Sequence, residues 1–163
     1  MNKVLILSPH TDDAELGAGG YIAKLIEQGT NIYWMVFSSA RESVPEGYTD
    51  NTLAKEFHVV MNSLGISRSN YSLFDYRVRR LHENRQEILE SLVKIRNSFK
   101  PDLVIGPSLN DFHQDHQVVA NEMIRAFKSA SSIICYELPW NHVKFENQFF
   151  VSLEYIHIEQ KLK

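Results

Sequence analysis

The chain opens with a short apolar run, Val4-Leu5-Ile6-Leu7, that leads directly into Ser8-Pro9-His10-Thr11-Asp12-Asp13-Ala14-Glu15-Leu16-Gly17-Ala18-Gly19-Gly20. Four consecutive apolar residues with a β-branched component suit a strand covered on both faces, as in a parallel sheet. A helical pattern follows, with Leu16, Gly20, Ala23 and Ile26 on one stripe and Gly29 as a stop. An imidazole and two carboxylates therefore stand where a strand feeds a helix. In an open α/β sheet that carboxyl end of the strand is where ligands bind.

The rest of the chain repeats the alternation. Strands are expected at 32–37, 71–74, 103–105 and 132–138, and helices at 51–64, over about 15 residues carrying Ile88, Leu92, Ile95 and Phe99, and at 116–128, with Pro101 forbidding continuation of the middle one. Residues 38–50 read as a loop long enough to meet a substrate. Residues 149–151 read as an edge strand, and 153–163 as the start of a helix. The order β-α-β-α-β-α-β-α-β implies an α/β fold, a three-layer sandwich with a mostly parallel sheet and helices on both faces, in a single domain over residues 1–163. No internal repeat interrupts it.

Composition narrows the partners. With 44% apolar residues the 163-residue chain can bury a core. A net charge of −3 argues against a general nucleic-acid binder, which needs clustered Lys and Arg. No apolar run approaches the roughly 20 residues of a membrane span. The single cysteine, Cys135, reads as a small buried hydrophobe. A cytoplasmic location is the expectation, since no signal-type segment precedes the first strand.

The first polar cluster has a plain explanation: Asp12 and Glu15 fit a capping box, and Asp13 suits a first helical turn. Capping, however, needs one carboxylate, and two stand here beside His10. Adjacent residues point apart, so one can ligate a metal while the other reaches a water on it. Three ionisable groups at such a strand end are costly without a compensating cation or substrate. A dinucleotide loop is disfavoured, because Gly17-Ala18-Gly19-Gly20 lacks the G-x-G-x-x-G spacing.

His113-Gln114-Asp115-His116 follows the strand at 103–105 and so falls at a second carboxyl end. Neutral imidazole is the commonest side-chain metal ligand, and Asp115 can hydrogen-bond a ligand imidazole to fix its tautomer. Two histidines with one carboxylate also form the facial triad of non-haem iron oxygenases, although those usually sit on β-barrels. Arg41, Arg77, Arg79 and Arg80 are candidates to meet an anionic substrate, and Trp140 to stack on a sugar. His58, His82, His142 and His157 show no ligand spacing.

Residues 9–17 resemble the P-H-P-D-D-x-E-x-G signature of the PIG-L/LmbE-like family of zinc-dependent N-deacetylases, and 113–116 resemble its H-x-D-H motif. The resemblance runs over essentially the whole chain, and the fold it implies is a Rossmann-like α/β sandwich. It implies zinc, or another divalent metal, on His10, Asp13 and His116, with Asp12 as general base. It further implies that His113 steadies the oxyanion or protonates the leaving amine and that Asp115 supports them. The implied substrate is a small N-acetylated amino sugar or conjugate, and a homo-oligomer is left open. Thr11 departs from the signature's second proline. Ser38-Ser39-Ala40-Arg41-Glu42 stands where members often carry Thr-x-Gly-Glu. The chain is shorter than typical members, as if lacking their C-terminal part. The alternative function is a non-catalytic sugar-binding homologue of the same fold.

Overall fold

A computed structural model describes residues 2–144 and 146–162. Five strands, β1 (Lys3–Ser8), β2 (Asn31–Val36), β3 (Tyr71–Leu73), β4 (Leu103–Pro107) and β5 (Ser132–Tyr136), alternate with α1 (Asp13–Glu27), α2 (Thr52–Ser63), α3 (Arg85–Phe99), α4 (Gln114–Phe127) and α5 (Tyr155–Leu162). All strand pairs are parallel, in the order β3-β2-β1-β4-β5. The chain moves outward from β1 to β3, then returns to β4 on the other side of β1. The strand order thus reverses between β1 and β4, the crevice where such sheets hold ligands. The α/β architecture expected from the alternation is the one observed.

Side-chain alternation distributes the strands between two cores. Val4 and Ile6 of β1 join Ile22 and Leu25 of α1 and Phe57 and Met61 of α2 on one face. Leu5 and Leu7 join Ile88 and Leu92 of α3 and Val119 and Met123 of α4 on the other. The sheet centre is dry: Val4, Leu5, Ile6 and Leu7 are all fully buried.

Helix α1 begins at Asp13, earlier than the apolar stripe suggests, and it is covered on two sides. A Cβ on Gly17 would lie 2.5 Å from Tyr136 Cδ2, and one on Gly20 would lie 2.5 Å from Leu153 Cδ1. β5 and the C-terminal segment therefore approach α1 through its missing side chains. His157 Nε2 pairs with Glu27 Oε2 at 2.7 Å, and Lys161 Nζ donates to the Leu16 carbonyl, docking α5 along α1. This second contact face explains why Leu16, expected inside, is exposed while Ala14 and Ile22 are buried.

Three further expectations are corrected. Residues 149–151 form no strand: Phe149 turns toward α1, its ring 6.1 Å from that of Tyr21, instead of pairing along β5. Cys135 is exposed rather than buried, because β5 is the sheet's edge and its outer flank has no neighbouring strand among the described residues. α4 begins at Gln114, so His113 is its N-cap. Lys163, the expected end of the last helix, and Phe145 lie outside the described residues.

Candidate metal centre

The turn after β1 carries His10, Asp12 and Asp13, and the loop after β4 carries Asp111, His113, Asp115 and His116. These two strands flank the point of reversal, so both clusters open into the same crevice. Asp12 is the N-cap residue of α1 yet makes no side-chain capping bond. The capping-box explanation for Asp12 and Glu15 therefore fails, and the Asp12 carboxylate stays exposed.

Two carboxylates set the imidazole tautomers. Asp115 Oδ2 accepts from His10 Nε2 at 3.0 Å, and Asp111 Oδ2 accepts from His116 Nδ1 at 2.7 Å. With those nitrogens holding protons, the bare ones are His10 Nδ1 and His116 Nε2. They lie 3.4 Å apart, and Asp13 Oδ2 lies 3.1 Å from the first and 3.2 Å from the second. The His10 backbone N–H donates to the same Asp13 oxygen at 2.7 Å and fixes its position.

Three electron-pair donors thus face one another. Zinc ligands at about 2.0–2.1 Å in a tetrahedron stand about 3.3 Å apart. The observed edges of 3.1, 3.2 and 3.4 Å match that spacing, so these residues fit a single divalent cation. The side chains are nearly enclosed: His116 is 1% and Asp13 5% exposed.

His113 is also near, and with His10 and His116 it forms a group whose ligand atoms all lie within 4.8 Å of one another. Its local bonding separates it from the other two. His113 Nδ1 accepts from the Asp115 backbone N–H at 3.2 Å, capping α4. In the neutral ring the proton is then on Nε2, which makes His113 a hydrogen-bond donor rather than a free lone pair. The set of His10, Asp13 and His116 is the tighter of the two, and either group could hold a cation.

The electrostatics follow the same division. Burial opposes charge on His10, but hydrogen bonds to Asp115 and Asp13 outweigh it and raise its pKa to about 9. His116 is raised likewise, as Asp111 and Asp13 overcome its burial. Asp13 is held below the usual carboxylate range because the two imidazoles outweigh its burial. Metal-free, the cage draws protons for the reason it would draw a cation. His113 is lowered by burial and by the neighbouring imidazoles, so it stays neutral. Asp12 moves opposite to Asp13: burial and the adjacent Asp13 charge raise it.

Asp111 is the site residue that the sequence reading missed. Besides holding His116, its Oδ1 accepts from the His113 backbone N–H at 2.8 Å. The signal was the position two residues before His113, which is also how a loop aspartate looks. Asp115 hydrogen-bonds His10 Nε2 and is itself held by the backbone N–H groups of Arg79 (2.5 Å) and Leu81 (3.1 Å). The other candidates lie outside the cage: Arg41 pairs with Asp75 at 2.7 Å, Arg77 with Glu42 at 3.2 Å, Arg80 with Glu83 at 2.9 Å, and Trp140 is exposed.

The model of the PIG-L family, GlcNAc-PI de-N-acetylase, matches residues 5–127, which span both clusters. The chain belongs to the PIG-L family. Its fold is similar to that of the conserved protein TT1542 from Thermus thermophilus, with a TM-score of 0.80 and 20% identity over 99% of this chain and 76% of that one. It is similar to N,N'-diacetylchitobiose deacetylase from Pyrococcus horikoshii, solved with its inhibitor MPG (TM-score 0.78, 21% identity, 99% and 67% covered). It is similar as well to the zinc-inhibited form of the teicoplanin deacetylase Orf2 (TM-score 0.79, 16% identity, 99% and 81% covered). At these identities the likeness shows the fold. Among the described residues of this PIG-L chain, no helix is long and apolar enough to cross a membrane.

Proposed function

We propose that this PIG-L chain is a metal-dependent N-deacetylase that hydrolyses the N-acetyl amide of an amino sugar or sugar conjugate. The observation that carries the reading is the triangle of His10 Nδ1, Asp13 Oδ2 and His116 Nε2 beside one carboxylate, Asp12, whose basicity is raised. The deacetylases among the structural relatives support the substrate class.

His10, Asp13 and His116 would hold the ion. A bound zinc supplies Lewis acidity and lowers the pKa of a coordinated water to about 7. Asp12 is the general base. No other side chain donates a hydrogen bond to it among the described residues, part of its surface stays open to solvent, and partial desolvation together with the charge of Asp13 makes it more basic than an ordinary aspartate. Two adjacent carboxylates pushed in opposite directions are an acid–base division of labour. Asp12 takes the proton of the attacking water as oxygen adds to the acyl carbon, and that proton is then available to the departing nitrogen. His113, neutral with its proton on Nε2, donates to the oxygen that gains charge, a contribution often worth about 3 kcal/mol. Asp115 and Asp111 keep the two ligand imidazoles in the tautomers that leave the inner nitrogens bare.

The test is elemental analysis of the purified protein followed by a free-amine assay on N-acetylated sugars and sugar nucleotides. One equivalent of divalent metal with amine release is expected. A fully metal-loaded protein inert on every N-acyl substrate would overturn the reading in favour of a binding homologue.

A further inference from the structure

The loop after β3 reaches the cluster through the Arg79 and Leu81 N–H groups on Asp115, and ion pairs tie it to the loop after β2: Arg41 to Asp75 and Arg77 to Glu42. Arg80 pairs locally with Glu83. Arg79 differs from all three. Among the described residues it has no carboxylate partner, and its Nη2 reaches only neutral acceptors on the facing loop, Ser43 Oγ at 3.3 Å and the Glu42 carbonyl at 3.5 Å. The Glu42 carboxylate is already engaged by Arg77.

The backbone of Arg79 is tied to the metal centre. Its N–H donates to Asp115 Oδ2 at 2.5 Å, the same oxygen that accepts from His10 Nε2 at 3.0 Å. To deliver that bond Arg79 adopts φ +66°, a left-handed conformation unfavourable for a residue with a Cβ. Glycine would meet the backbone demand better, so the backbone does not call for this side chain. Strained residues of this kind gather at functional sites.

Taken together, an exposed guanidinium without a carboxylate partner among the described residues lies against residues 42 and 43 of the loop after β2, while its own backbone is tied through Asp115 to His10. We infer that Arg79 is an oxyanion subsite that selects N-acetylated sugars bearing a phosphate or carboxylate beyond the scissile amide. The planar fork of guanidinium suits either group and does not lose its charge. The inference rests on the deacetylase reading for its substrate, but not for its anion.

The experiment uses the full chain loaded with zinc and three N-acetylglucosamine substrates: the methyl glycoside, the carboxymethyl glycoside and the 1-phosphate. Wild type favours one of the anionic substrates over the methyl glycoside in kcat/KM by about 10- to 100-fold, the scale of one charge-assisted contact. Which anion is preferred separates phosphate from carboxylate. Arg79→Gly keeps the N–H for Asp115 and suits the backbone, yet it brings the ratio toward one; Arg79→Lys restores part of it. Arg80→Ala leaves the ratio within about twofold. A wild type without anion preference, or an Arg79→Gly ratio equal to wild type, overturns the inference. If none of the three is hydrolysed, the deacetylase reading is judged by its own wider substrate screen, and calorimetry with glucosamine 1-phosphate, carboxymethyl glucosaminide and methyl glucosaminide makes the same comparison without turnover. Anion-dependent binding lost in Arg79→Gly then sustains the subsite, and equal binding in both proteins rejects it.

Discussion

Asp111→Asn perturbs the centre without replacing a proposed ligand. Asp111 is 2% exposed; Asn141 Nδ2 donates to it at 3.3 Å, and it serves two shorter donors at once, the His116 ring at 2.7 Å and the His113 backbone N–H at 2.8 Å. An asparagine has one carbonyl oxygen for these two donors. If it faces His116, the amide NH2 confronts the His113 N–H. If it faces His113, the NH2 presses His116 to carry its proton on Nε2, the nitrogen that faces Asp13. Either way the inner lone pair of His116 is less available. Loss of a carboxylate behind a metal-bound imidazole typically lowers affinity 10- to 100-fold, or about 1.4–2.7 kcal/mol. The assay is competition for zinc against a chelating dye, run on wild type, Asp111→Asn, His116→Ala and the double variant. Because Asp111 acts through His116, the second substitution should cost little once His116 is gone. An Asp111→Asn affinity within twofold of wild type, or full additivity in the cycle, refutes the reasoning.

Other consequences follow from the same geometry. Asp12→Asn should retain full metal content but lose about 10²- to 10⁴-fold in turnover, measured by amine release at saturating substrate. Because His10 and His116 are raised, the metal-free protein holds protons in the cage near neutrality, and zinc binding should expel them. A lightly buffered titration with a pH indicator should show acid release, and zinc affinity should climb with pH up to about 9. The stability of the metal-free protein should move the opposite way. The His10 contribution is complete below its unfolded pKa of about 6.5 and is lost as pH rises through about 9, so the metal-free Tm falls across that window. Gly17→Ala places a methyl 2.5 Å from the ring of buried Tyr136, whose hydroxyl holds the Leu7 carbonyl, and should cost about 1–3 kcal/mol by denaturant unfolding.

Much of this molecule can be read from its residues. The apolar run Val4–Leu7 followed by His10, Asp12 and Asp13 announces a strand end with chemistry on it, because local pattern and local composition coincide there. The second cluster is legible for the same reason. Asp111 is not, since its role exists only once α4 turns His116 back over the loop. The Arg79 and Leu81 grip on Asp115 is equally invisible, as it requires the β3 loop to close over β4. Leu16 and the 149–151 run mislead because periodicity assumes one buried face. α1 has two, and Phe149 finds α1 before it finds a strand.

The central claim is that one divalent cation sits among His10 Nδ1, Asp13 Oδ2 and His116 Nε2. An anomalous difference map collected at the zinc edge from zinc-soaked crystals tests it directly. The account predicts a single strong peak within about 2.0–2.2 Å of all three atoms, with His113 outside ligand distance. A map with no peak in the crevice, or with the ion held by His113 in place of Asp13, contradicts it.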